Sequence, residues 1–123
     1  MKKFLLLLAA TIFLSGSTCA AEDLRFIDAA QDTGYYYDAD SVKFHTENEI
    51  LVRMAIIKAN LNRMYAYEVV INHAEQTYRI LGTQILSYDT RAVLEIDNSP
   101  RPTRKYAPYS EMGQMVQMIL YSR

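Results

Sequence analysis

Glu49-Ile50-Leu51-Val52-Arg53-Met54-Ala55-Ile56-Ile57-Lys58-Ala59-Asn60 is the stretch on which the fold turns. Ile50, Val52, Met54 and Ile56 hold alternate positions and Arg53 points the other way, the two-residue period of a strand. The apolar residues are also dense enough to allow a helix over residues 50–58. The segments on either side favour the sheet, because they repeat the alternation at turn spacing. Downstream, 60–63 (Asn-Leu-Asn-Arg) reads as a hairpin connection, and 64–72 places Tyr65, Tyr67, Val69 and Ile71 on one face. After a turn at His73-Ala74-Glu75, residues 76–87 set Tyr78, Ile80 and Leu86 together, with Gly82 marking a bulge or bend. Tyr88-Asp89-Thr90 then turns into 91–97, where Ala92, Leu94 and Ile96 alternate with Arg91, Glu95 and Asp97.

Upstream the same grammar holds. Residues 24–29 alternate weakly before the turn residues Asp32-Thr33-Gly34. Three tyrosines follow in 34–38, with Tyr35 and Tyr37 on one face and Tyr36 on the other. Asp38-Ala39-Asp40-Ser41 reads as a tight turn, and 41–46 as a strand with Val42 and Phe44 opposite Lys43 and His45. Beyond the strands the period changes. Residues 98–108 hold all three prolines (Pro100, Pro102, Pro108) and read as an extended loop. Ser110 is placed to cap a helix, Glu111 suits its dipole, and Met112, Met115, Val116 and Ile119 form one apolar stripe. The expected fold is α+β: an antiparallel meander of about six strands packed by one C-terminal α-helix.

The 123 residues suffice for one domain. With 13 Lys and Arg against 14 Asp and Glu there is no basic excess, so no nucleic-acid partner is expected. Residues 1–21 read as a secretory signal peptide: Lys2 and Lys3, an apolar run over 4–14, then small residues up to Ala21. That run is shorter than the ~20 residues needed to cross a bilayer, so no permanent membrane span is expected. Cys19 and Ala21 are the small residues that place the cut after Ala21. Thr18 and Gly16 fit a lipidation site at Cys19 poorly. The domain is then 22–123, without cysteine, with 11 basic and 14 acidic residues and a net charge of −3. The expected location is exported, in the periplasm or at the cell surface.

Read in order, three segments carry a resemblance. They are Tyr-Tyr-Tyr-Asp-Ala-Asp-Ser-Val from Tyr35, Thr-Tyr-Arg-Ile-Leu from Thr77, and Tyr-Ala-Pro-Tyr-Ser from Tyr106 before the helix. Together they resemble the bacterial surface-adhesin protein E-like family across most of residues 24–121. The family's tryptophan before the helix is replaced here by Tyr106. Its cysteine pair is missing, the corresponding regions reading Ile71-Asn72-His73 and Leu120-Tyr121. The resemblance implies an exported domain, with surface binding to host proteins the named activity of a few members.

Candidate chemistry is sparse. Asp38 and Asp40 alternate as calcium donors do, but the Gly and distal Glu of an EF-hand are absent, and a side-chain-capped turn accounts for them. His45 and His73 lack HxH or HExxH spacing. There is no Gly-x-Ser-x-Gly elbow and no Gly-rich phosphate loop, so catalysis, a cofactor and a metal are not expected. Met112, Met115 and Met118 suit an adaptable groove or, more simply, the core and its edge. The best candidate for a protein contact is Arg101, Arg104 and Lys105 with Tyr106 and Tyr109, cationic and aromatic groups interleaved with proline. The competing structural account is a solvated connection whose tyrosines pack under the helix. The function expected is a non-catalytic, adhesin-like binding module of the bacterial cell envelope, its partner an envelope or host extracellular protein. The alternative is a small periplasmic enzyme or ligand carrier with a pocket inside the sheet. Exposed strand edges would also permit a homodimer.

Overall fold

The computed structural model describes residues 22–122. The expected signal peptide and Cys19 lie outside the described residues. Among the described residues, eight strands and one α-helix follow one another: β1 (Leu24–Ala30), β2 (Thr33–Asp38), β3 (Lys43–Phe44), β4 (Glu49–Lys58), β5 (Arg63–Asn72), β6 (Thr77–Ser87), β7 (Val93–Asp97), β8 (Arg104–Lys105) and α1 (Glu111–Ser122). All pairings are antiparallel, in the order β1-β2-β4-β5-β6-β7, with β3 beside β4 and β8 beside β6. The α+β meander with its terminal helix is therefore present. The strand count is eight, not about six: six strands form the continuous path, and two strands of two residues lie off it.

Both short strands correct the reading of their segments. Residues 41–46 do not run as one strand. The Asp38 carboxylate accepts the Asp40 amide at 3.0 Å and caps a 3-10 turn, Ala39–Ser41, which leaves only Lys43–Phe44 to pair. The Ser41 hydroxyl then accepts the Arg53 amide at 2.8 Å, standing in for a strand neighbour. Likewise the proline-rich 98–108 is not loop throughout, because Lys105 and Arg104 pair with Thr77 and Tyr78.

The long hairpin β4–β5 runs in unbroken register from Glu49↔Asn72 to Lys58↔Arg63. Its connection is a 3-10 turn, Ala59–Leu61, closed by Asn62 in the left-handed region at φ 54°. Asparagine tolerates that region better than most residues do. The alternation seen in the sequence puts Ile50, Val52 and Met54 on the helix side with Val69 and Ile71, where Tyr37, Met115, Val116 and Ile119 join them. The opposite face holds a second, smaller core of Ala55, Ile57, Met64, Ala66 and Leu86, with Leu24, Tyr36 and Tyr88 against it. β4 is thus apolar on both sides, which is why its sequence also satisfied a helical pattern.

Helix α1 begins as its sequence indicates. The Ser110 hydroxyl accepts the Gly113 amide at 3.2 Å and the Ser110 carbonyl accepts the Gln114 amide at 2.9 Å. Gly113, Met115, Val116 and Ile119 are its buried residues, while Met112 is half-buried at the edge of the core. Both edge strands are interrupted by a bulge, between Phe26 and Asp28 in β1 and around Leu94 in β7. The alternation expected in 91–97 does not bury a face: Val93, Leu94 and Ile96 are all at least half exposed. Glu22, just before β1, meets Arg91, just before β7, at 3.3 Å across the face opposite the helix. Among the described residues, no helix is long and apolar enough to cross a membrane.

Candidate functional site

Between the helix-side face of the sheet and the connection 98–108 lies an open cleft of about 450 Å³. Register builds its floor. Tyr35 pairs with Ile56, and Met54 with Tyr67, so residues far apart in sequence stand side by side on one face. Ile71↔Tyr78 extends that face onto β6, and Tyr78 joins the lining. The far wall comes from the connection. The Tyr106 amide donates to the Gln76 carbonyl at 3.0 Å, next to the β8 pairing of Lys105 with Thr77. Arg101, Lys105 and Tyr106 share the lining with Tyr35 of β2, Met54 and Ile56 of β4, Tyr67 of β5 and Tyr78 of β6, and the start of α1 adds Ser110, Glu111 and Met112.

The electrostatics follow from this placement. Arg101 is anchored to Asp97 at 3.1 Å and remains about one-third exposed. The Ser99 hydroxyl, then the Ser99 amide, and then Arg101 hold the Asp97 carboxyl below the usual range. Burial pushes the Tyr67 hydroxyl up, with a further push from Tyr65 and an opposing pull from Arg101. Burial alone pushes Tyr106 up. These phenols therefore stay neutral and can donate or accept hydrogen bonds. Lys105 has no ion-pair partner among the described residues. The cleft is an aromatic trough that carries Arg101, anchored to Asp97, and Lys105, with Glu111 at the helix end.

Of the five contact residues read from the sequence, the structure brings Arg101, Lys105 and Tyr106 together in the cleft. Arg104 and Tyr109 do not line it. Arg104 is exposed beside Lys105 in β8, and Tyr109 is 90% exposed ahead of the helix. Sequence reasoning missed Tyr35, Tyr67 and Tyr78. Their signal was the tyrosine enrichment of the strands, but only register shows which of the ten tyrosines converge.

The remaining candidates are occupied structurally. The Asp38 carboxylate accepts amides from both Asp23 and Asp40 at 3.0 Å and lies 3.8 Å from Arg53, as the capped-turn account expects. His73 Nε2 lies 3.2 Å from the Glu47 carbonyl. No group of three or more His, Cys, Asp or Glu among the described residues is placed to hold a metal. Met115 is fully buried and Met112 lines the cleft.

Compared with protein-family models, with curated proteins and with solved structures, the chain matches none.

Proposed function

We propose that the chain is an exported, non-catalytic binding module of the bacterial cell envelope, and that the tyrosine cleft is where it holds an envelope or host extracellular protein. The observation that carries this reading is the union of Tyr35, Tyr67, Tyr78 and Tyr106 with Arg101 and Lys105 around one open trough. Tyrosines offer large, stiff, amphipathic contact area, and aromatic troughs accept extended, proline-containing peptide segments. Lys105, which has no ion-pair partner among the described residues, favours a segment carrying an acidic residue. The three segments resembling surface-adhesin protein E-like domains support export and protein binding, and Tyr106 lies in one of them.

The test is capture from envelope and extracellular-matrix extracts, followed by titration of the captured protein against variants. Tyr106→Ala and Lys105→Glu should each weaken binding at least about tenfold, which is about 1.4 kcal/mol. Arg104→Ala, outside the cleft, should not. Equal loss in all three, or loss only with Arg104→Ala, overturns the assignment of the cleft.

A second reading, a ligand carrier, is favoured by one observation: about 450 Å³ lies within the range of small-molecule sites. It predicts a molecule that co-purifies with the protein and is displaced in Tyr67→Ala, which native mass spectrometry would detect. Self-association through strand edges has less support, since bulges blunt both edges. Light scattering over a concentration series distinguishes it.

A further inference from the structure

The face of the sheet away from the helix has its own concavity, a recess of about 180 Å³. Its floor is apolar, formed by buried Met64, Ala66 and Leu86. Gln84 and Asn98 line it, and neither carboxamide has a hydrogen-bond partner among the described residues. Gly82 makes room for one of them: a Cβ there would lie 2.6 Å from Asn98 Oδ1.

Two arginines border the recess, and they are held differently. Arg53 is committed to Glu68 at 3.0 Å and also lies near Asp38. Arg91 sits on a left-handed backbone at φ 65°, lies over the Tyr88 ring at 5.3 Å and donates to the Tyr88 carbonyl. Its remaining edge faces Glu22, whose two oxygens both stand at 3.3 Å. That is longer than the ~2.7–2.9 Å of a tight guanidinium–carboxylate fork. Glu22 belongs to no strand, so moving its side chain breaks no sheet pairing.

We propose that this recess binds a small carboxylate with a compact apolar tail, and that Glu22 is its tethered competitor. The ligand's carboxylate takes the Arg91 edge in place of Glu22. Its tail lies on Met64, Ala66 and Leu86, and the Gln84 and Asn98 amides donate from the rim. An apolar cavity of about 150 Å³ accepts benzene, so the recess suits an acid of benzoate or branched-chain size. The site is separate from the tyrosine cleft and does not depend on the function proposed for it.

The experiment is an NMR titration of the purified protein with benzoate and isovalerate, using benzamide as the uncharged isostere. Resonances of Gln84, Leu86 and Arg91 should shift with both acids and not with benzamide. Glu22→Gln should tighten benzoate binding about tenfold. Arg91→Lys, which keeps the charge but loses the fork, should weaken it. The proposal is overturned if Glu22→Gln leaves the affinity unchanged, if benzamide binds as well as benzoate, or if the shifts fall on Lys105 and Tyr106 instead. Absence of any shift at roughly 20 mM, where a site of millimolar affinity would be filled, overturns it as well.

Discussion

Gly113 stands where the first turn of α1 meets the proline-rich connection. A Cβ there would lie 2.3 Å from the Pro108 carbonyl oxygen and 2.6 Å from that of Ala107. Helix propensity alone would reward Gly113→Ala with about 1 kcal/mol. The clash is with backbone, which cannot swing aside, so the net outcome should be a loss of about 1–3 kcal/mol in urea melts. Gly34→Ala is the comparison: its Cβ would lie 2.8 Å from the Tyr36 ring, a side chain rather than backbone, so its cost should be smaller. The cleft phenols make a second prediction at this scale. Burial raises Tyr67 and Tyr106 above 10.0, the value they take in the unfolded chain. Their contribution to stability is therefore complete below that value. As pH rises beyond it, the unfolded chain releases protons that the folded chain still keeps, and stability falls until the folded values are passed. Melts between about pH 9 and pH 11 should show a shallower decline in the double variant Tyr67→Phe, Tyr106→Phe than in the parent. An identical slope would mean that neither phenol is shielded.

Helix α1 is the element whose sequence was most legible, because a stripe at 3.6-residue spacing with a serine cap has few other readings. Ile119 is 3% exposed, so Ile119→Ala should cost about 2–5 kcal/mol in urea denaturation. Gln117→Ala, on the exposed side, should change little. Ser110→Ala should cost about 1 kcal/mol through loss of the cap. If Ile119→Ala melts like the parent, the helix is not docked on the sheet. Strand β8 was not legible, since two polar residues, Arg104 and Lys105, show no period; they pair with β6 beside the bond from the Tyr106 amide to Gln76. β7 misled for the opposite reason. Its alternation is real in sequence, but at the bulged edge of the sheet Leu94 and Ile96 stay about half exposed. The cleft shared that difficulty: Lys105 and Tyr106 are sequence neighbours, whereas Tyr35 and Tyr67 meet through pairing across β2, β4 and β5.

For the molecule as a whole, the decisive arrangement is a sheet with a core on each face. Ile71 belongs to the helix-side core and Leu86 to the other, yet β5 carries both Ile71 and Met64, and Met64 pairs with Leu86. Neither core can open without disturbing strands that the other needs. Ile71→Ala and Leu86→Ala should therefore each shift one common transition by about 2–5 kcal/mol, with far-UV circular dichroism and tyrosine fluorescence coincident. Two separated transitions would mean that the faces are independent. The order of the sheet along the chain has a consequence for how the protein is made. Each long strand pairs with the long strand that precedes it, so every hairpin can close as soon as its second half is available. Such nearby pairings favour rapid folding. The exception is α1, which follows all eight strands in the chain and brings Met115, Val116 and Ile119 onto Ile50 and Ile71. Until α1 has emerged and docked, the nascent sheet leaves its helix-side face bare to whatever chaperone is nearest, and a chain stalled before that point is sticky on that side.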